Sequence, residues 1–173
     1  MGVLWWRMKR LAVWAILLLA FCGLTNAAYL TEHILRGTAV ICNIQGLSDC
    51  NTIIASQYSR VAGIPLAELG VFFYGMLFVA AALEILLKNA FLRRVIQVGA
   101  TIGLAASVYF IALQAFVIRG FCAYCVTSAL ITVFLFLCAL VIEPIRRKKS
   151  APAKPLSLPP RPPLPRLTMP PTP

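Results

Sequence analysis

FCAYCVTSALITVFLFLCALVI, residues 121–142, contains an apolar run long enough to cross a lipid bilayer as one helix. A helix needs about 20 apolar residues to do so. The run opens with Cys122 and Cys125, and Glu143-Pro144 and a basic cluster follow it. The stretch therefore predicts a membrane-spanning helix over residues 122–142, with a Cys-x-x-Cys motif at its beginning.

Three similar runs precede it, at about residues 11–30, 66–87 and 95–117. Of all 173 residues, 61% are hydrophobic and only 12% are charged, whereas soluble domains average about 45–50% and about 25%. Little of the chain is left for a separate soluble domain. We therefore expect an all-α integral membrane protein, a bundle of four transmembrane helices within residues 1–149, with a long outer loop at 31–65.

The basic residues predict the orientation, because they gather on the cytoplasmic side of membrane spans. Of the 16 Lys and Arg residues, 13 lie before the first run, in the 88–94 connection or after the last run. The other side has only Arg36, Arg60 and Arg119. Both termini are thus expected in the cytoplasm, and segments 31–65 and 118–122 outside. This topology explains the net charge of +11 without nucleic acid as a partner.

The first run has a second interpretation, as a cleaved signal peptide. Thr25-Asn26-Ala27 is an acceptable small-residue cleavage site. Cleavage would leave three spans and place the two ends on opposite sides of the membrane. A retained helix is therefore the favoured interpretation.

Residues 150–173 contain ten of the twelve prolines. Proline lacks a backbone N–H and disrupts helices, and such proline-rich segments favour polyproline II or disorder. We expect a disordered basic tail on the cytoplasmic side.

Four cysteines are expected at the outer face. Cys42 and Cys50 lie in the outer loop, and Cys122 and Cys125 begin the last helix. Disulfides persist outside the cytoplasm. Positions i and i+3 share one face of a helix, and a helix N-terminus stabilises a thiolate. This spacing favours a redox pair that exchanges readily.

The loop cysteines are separated by turn-forming residues, Asn43, Gly46, Ser48 and Asp49. A mobile loop could carry one cysteine to a soluble partner and the other to Cys122, by exchange through a mixed disulfide. Two alternatives stay open: a structural Cys42–Cys50 bridge, and a zinc site of all four cysteines. Cys22 and Cys138 lie in apolar runs and are expected to act as small apolar residues.

An ordered set of residues resembles the vitamin K epoxide reductase family in its bacterial form, over roughly residues 10–145. The set comprises Cys42, Ser48-Asp49-Cys50-Asn51, Ser56, Gly63-Ile64-Pro65, Gly70, Tyr74 and Cys122-Ala123-Tyr124-Cys125. The resemblance implies a four-helix bundle around a quinone, ubiquinone or menaquinone, near the outer surface.

The resemblance also implies a role for each cysteine. Cys42 would meet the redox partner, Cys50 would exchange with Cys122, and Cys125 would lie beside the quinone. Ser56 would face the same pocket, and Tyr74 is a further candidate for its wall. The activity would be disulfide-bond formation: reoxidation of a periplasmic thioredoxin-like (DsbA-like) protein, with transfer of the electrons to the quinone in the bacterial inner membrane.

Two departures from the family pattern shape this expectation. A proline-rich tail stands where many bacterial members have a fused thioredoxin-like domain, so the partner is expected to be a separate protein. Where animal members have a tyrosine and an asparagine near the ligand, this sequence has Ala129 and, approximately, Leu66. Simple quinone reduction is therefore favoured over vitamin K epoxide reduction.

Two alternatives of function remain at this point. The same chemistry could run in the opposite physiological direction, reducing vitamin K epoxide or quinone. The chain could also be a non-catalytic membrane scaffold with structural disulfides. Ser107 and Tyr109 could line the pocket, or could serve helix packing and interface anchoring.

Overall fold

Four long apolar helices form the molecule, and the predicted four-helix transmembrane bundle is confirmed. The computed structural model describes residues 2–42 and 50–142. The helices able to cross a membrane are α1 (Gly2–Arg36), α3 (Leu66–Leu87), α4 (Ala90–Leu113) and α5 (Ala123–Ile142). The short helix α2 (Cys50–Ala55) lies between α1 and α3. The predicted tail at 150–173 lies outside the described residues.

Two helices differ from their predicted bounds. α1 extends beyond the 11–30 run at both ends, because the apolar count marks only the part of a helix that lipid surrounds. α4 begins at Ala90 rather than near 95, because the Asn89 side chain accepts a hydrogen bond from the Phe91 backbone N–H at 2.9 Å. Such an N-cap satisfies an unpaired donor of the first turn, so helix formation starts before the apolar run does.

The turn between α3 and α4 is tight. Lys88 ends α3 in the left-handed region (φ 48°), and its N–H donates to the Glu84 carbonyl. The Glu84 side chain is buried and forms a salt bridge with Arg93, Oε1 to Nε at 3.2 Å. The charges at this end thus tie α3 to α4.

Small residues let the helices approach closely. Gly23 of α1 lies directly against the ring of Tyr74, and a Cβ at Gly99 would lie 3.0 Å from Leu77. The buried core combines small side chains such as Ala81 and Ala100 with a few larger ones. Many large apolar side chains point outward, among them Phe72 (75% exposed), as lipid-facing residues do.

The segment between α1 and α3 covers one end of the bundle. After α2, a 3-10 turn (Gln57–Ser59) leads into a hairpin of two short strands, β1 (Arg60–Val61) and β2 (Ile64–Pro65). Val61 pairs with Ile64 across the turn. Both turn residues have positive φ, Ala62 at 52° and Gly63 at 84°, as the two-residue hairpin turn that suits strand twist requires.

Candidate redox site

The structure joins Cys42 and Cys50 in a disulfide, with the Cα atoms 6.4 Å apart. Cys50 is the first residue of α2 and is completely buried, whereas Cys42 is half-buried at the end of an extended segment. The loop expected to be mobile, residues 43–49, lies outside the described residues. One end of this disulfide is therefore closed off from solvent and the other is partly open.

Cys122 lies directly beneath that disulfide. Its Sγ is 2.9 Å from the Sγ of Cys50, and both residues have no exposed surface. The sulfurs of Cys42, Cys50 and Cys122 all lie within 4.8 Å of one another. The two cysteine pairs, far apart in sequence, are thus brought within reach of direct thiol–disulfide exchange.

Cys125 lies in the first turn of α5, three residues after Cys122. Its thiol hydrogen-bonds the sulfur of Cys122, as the i, i+3 spacing predicts for side chains on one helix face. Cys122 and Cys125 are both free thiols in this structure. Cys42 and Cys50, the outer pair, are therefore oxidised, and Cys122 and Cys125, the inner pair, are reduced.

The hydrogen bond from Cys125 lowers the pKa of Cys122 to about 7, against the opposing effect of burial. Backbone N–H groups of Tyr124 and Cys125 act in the same direction. A thiol with a lowered pKa is the better leaving group in exchange. Cys122 is thus suited to be attacked and released repeatedly.

This lowered pKa gives a testable pH dependence. In a Cys22→Ala/Cys138→Ala background, the first thiolate of the reduced inner pair should form near pH 7, as measured by thiolate ultraviolet absorbance. Cys125→Ala should move that transition to higher pH, because the Cys122 thiolate loses a hydrogen-bond donor. An identical transition in both proteins would contradict the assigned cause.

A cavity of about 380 Å³ lies next to Cys125, the second cysteine of the inner pair. Cys125 forms part of its wall, together with residues of the four long helices and of the segment between α1 and α3, here called the outer segment. Among the described residues that line it, none is Asp, Glu, Lys, Arg or His. The polar groups in the wall are all neutral: Asn26, Ser56, Tyr58, Ser59, Tyr74, Ser107, Gln114, Tyr124, Ser128 and Thr132.

The structure places Ser56 and Tyr74 in this wall. The Ser56 hydroxyl donates to the Ile53 carbonyl at 2.7 Å. The Tyr74 hydroxyl is 2.7 Å from the Ser128 hydroxyl and donates to the Ser128 carbonyl at 3.1 Å. Ala129 and Leu66 also line the cavity, so its wall is apolar at the two positions singled out in the sequence.

Ser107 and Tyr109 separate in the structure. Ser107 lines the cavity, and its hydroxyl is 2.8 Å from the hydroxyl of Thr132 on α5. Tyr109 is 59% exposed on the outside of the bundle. Tyr109 therefore does not contribute to the cavity, because it lies on the opposite face of α4.

Sequence reasoning missed Gln114. It follows α4 in a π-helical turn (Gln114–Ile118) and is only 3% exposed. Its Oε1 accepts a hydrogen bond from the Cys122 backbone N–H at 3.3 Å. A signal was present, since an uncharged polar residue within an apolar run tends to face the bundle interior. The π-helical turn is also a feature often found at functional sites.

From the sequence, Asn51 and Tyr124 were named only as members of the family pattern. The Asn51 side chain accepts from the Val40 N–H at 2.9 Å and donates to the Val40 carbonyl at 3.3 Å. The Tyr124 hydroxyl donates to the Ile41 carbonyl at 3.2 Å. Both side chains hold the extended segment that ends at Cys42, and thus position the half-buried sulfur above Cys122.

Cys22 and Cys138 lie apart from this group. Cys138 is half-buried against the core, whereas Cys22 is exposed on the outer face of α1. The expected apolar surroundings of Cys22 are thus those of the bundle surface rather than of the core. For the alternative of a zinc site, the sulfurs of Cys42, Cys50 and Cys122 are close together. Two of them are joined in the disulfide, so they are not available as thiolate ligands in this structure.

One comparison with known proteins identifies a family for this chain. The model of the vitamin K epoxide reductase family matches residues 14–140, a range that contains all four cysteines of the site and most of each long helix. No curated protein matches the chain.

Proposed function

Because this chain belongs to the vitamin K epoxide reductase family, we propose that it reoxidises a periplasmic thioredoxin-like (DsbA-like) protein and passes the electrons to a membrane quinone. Family membership makes it a multi-pass membrane thiol–disulfide oxidoreductase. The observation that carries the finer proposal is the continuous path from half-buried Cys42, through Cys50 and Cys122, to Cys125 in the cavity wall.

The first step takes place at Cys42. A thiolate of the reduced partner attacks the Cys42 sulfur, forming a mixed disulfide and releasing Cys50 as a thiolate. The partner's second thiol then displaces Cys42, so the partner leaves as a disulfide. Two electrons and two protons enter the protein in this exchange. The partial exposure of Cys42 and the complete burial of Cys50 support this order of attack.

The second step takes place between Cys50 and Cys122. The Cys50 thiolate attacks Cys122 in a Cys122–Cys125 disulfide, and Cys125 leaves as a thiolate facing the cavity. Cys42 then displaces Cys122 from Cys50, which restores the Cys42–Cys50 disulfide. The structure has the bonding pattern that follows this step, with the outer pair oxidised and the inner pair carrying the two electrons.

The cavity suits a quinone, ubiquinone or menaquinone. Its volume of about 380 Å³ lies within the range typical of small-molecule sites, about 300–1,000 Å³. An apolar wall with a few neutral polar groups fits a lipid-soluble ring with carbonyl oxygens. Cys125 would lie beside the ring, and Ser56 and Tyr74 are the proposed pocket residues. A quinone supplies the acceptor for two electrons and two protons, and its product is a quinol.

The proposed location supports this direction of electron flow, because disulfides form and persist outside the cytoplasm. The distribution of basic residues supports a location in a bacterial inner membrane, with both termini in the cytoplasm and the cysteines on the periplasmic side. We propose that α1 is retained there, since it packs against α3 and α5 and contributes Asn26 to the cavity wall. We also propose that residues 150–173 form a cytoplasmic tail outside the membrane domain of residues 1–149.

A Cys42→Ala variant tests the entry point. With a reduced thioredoxin-like protein as donor, we expect quinone reduction to fall at least about a hundredfold, because the partner has lost the sulfur that it attacks. With a small dithiol that can reach the inner pair, part of the turnover should survive. The matched control is Cys138→Ala, which removes a thiol distant from the path. Full turnover of Cys42→Ala with the protein donor would show that electrons enter elsewhere.

A further inference from the structure

Gln114 is a buried polar side chain that the relay described above does not use. It is 3% exposed and lines the cavity beside Cys125. A buried amide without partners is costly, so both of its ends need hydrogen bonds. The amide oxygen has a partner, because Oε1 accepts a hydrogen bond from the Cys122 N–H.

That bond fixes which way the amide points. Only the oxygen of a glutamine side chain can accept from an N–H, so the NH₂ group must point the other way. The Gln114 side chain also lies within hydrogen-bonding reach of Cys125, beside it in the cavity wall. Since the oxygen is engaged at Cys122, the group facing the Cys125 sulfur is the Nε2 donor.

Few other groups near Cys125 could stabilise its thiolate. The described residues that line the cavity include no cation that could balance a thiolate. The titratable groups around Cys125 are Cys122 just before α5, Tyr124 on α5, Tyr74 on α3 and Tyr58 in the outer segment. The charged residue nearest in sequence, Arg119, is exposed beyond the π-helical turn. A hydrogen bond to an ionised group is roughly twice as strong as one between neutral groups.

We propose that Gln114 is a catalytic residue of the inner pair, whose Nε2 donates a hydrogen bond to the Cys125 thiolate that faces the cavity, while its Oε1 holds the first turn of α5. The inference deepens the proposed function by assigning the group that stabilises the electron-donating sulfur. Gln114 is the first residue of the π-helical turn, and this turn lies close enough to the start of α5 for the amide to reach the Cys122 N–H.

The first test measures Cys125 without any quinone. In a Cys22→Ala/Cys122→Ala/Cys138→Ala background, with the outer disulfide intact, Cys125 is the one remaining thiol. Its rate of alkylation by N-ethylmaleimide is measured against pH. Gln114→Met, which has a similar length and no donor, should move the half-maximal rate up by about one pH unit or more. The control is Gln97→Met, the same replacement in the distant half of α4, which should leave the curve in place.

The second test uses Gln114→Glu, and also decides the question if Gln114→Met fails to fold. The glutamate keeps an oxygen for the Cys122 N–H but donates to Cys125 only while it is protonated. With the four native site cysteines present, quinone reduction by Gln114→Glu should therefore decline as pH rises, whereas that of the wild type should increase. Gln114→Met should be slower than wild type by about tenfold to a hundredfold. A merely structural role for the amide oxygen predicts a wild-type profile for the glutamate variant.

The outcomes separate the two proposals. An alkylation curve unchanged in Gln114→Met, or a wild-type pH profile in Gln114→Glu, would overturn the role of Gln114 even if quinone is reduced. A shifted alkylation curve in a protein that reduces no quinone would support the role of Gln114 and remove the proposed electron acceptor.

Discussion

Replacement of Cys125 by alanine is expected to lower quinone reduction at least about a hundredfold, with protein and small-dithiol donors alike. Cys125 is the one relay cysteine in the cavity wall, so without it the electrons have no thiolate at the cavity from which to leave. This separates Cys125→Ala from Cys42→Ala, where a small dithiol is expected to restore part of the turnover. The measurement is steady-state quinol formation by purified protein in detergent.

The control for this prediction is Cys138→Ala, on the same helix and more than three turns away. It should turn over at close to the wild-type rate. Quinol formation by Cys125→Ala above about a tenth of the wild-type rate would mean that another group donates the electrons, and the exit end of the relay would have to be reassigned.

The second large effect is a trapped disulfide between the two pairs. In a Cys42→Ala/Cys125→Ala protein, Cys50 and Cys122 lose their usual partners while their sulfurs remain 2.9 Å apart. We expect mild oxidation to join them in nearly all molecules, as detected by mass spectrometry of unreduced peptides. Neither residue is exposed, so competing reactions with solutes should be slow.

The matched comparison is Cys42→Ala/Cys122→Ala, which leaves Cys50 and Cys125. Cys125 is not part of the close group formed by the other three sulfurs, so this protein should retain both thiols under the same treatment. Equal cross-linking in the two proteins would indicate that the site rearranges freely, and would remove the argument for a fixed order of transfer.

Much of the fold could be predicted from the sequence, because lipid imposes a simple rule. A span must be apolar over about 20 residues, and the four runs that meet this rule are the four long helices. The rule says nothing about where a helix begins beyond the lipid. The start of α4 depends instead on the Asn89 cap. α1 continues beyond the lipid through charged residues, which need no desolvation where the helix is in water.

Of the candidate site, the sequence predicted the four cysteines but not the contacts between them or the role of Gln114. The cysteines are distinctive because few residue types do redox chemistry, and their spacing and the family resemblance assign a role to each of them. The contact between Cys50 and Cys122 could not be derived from residue spacing, because it depends on how α2 packs against the start of α5. Gln114 is an uncharged polar residue in an apolar run, which indicates an interior position, but its contact with Cys122 depends on a π-helical turn that no local sequence pattern marks.

The most direct test of the relay is a single turnover without a donor. Protein with a reduced inner pair is mixed anaerobically with a quinone, and quinol formation and the Cys122–Cys125 disulfide are followed together. We predict one quinol per disulfide formed, appearing at the same rate. If no quinone is reduced and the cysteines form disulfides that resist mild reductant, the pairs are structural and the proposed electron relay is wrong.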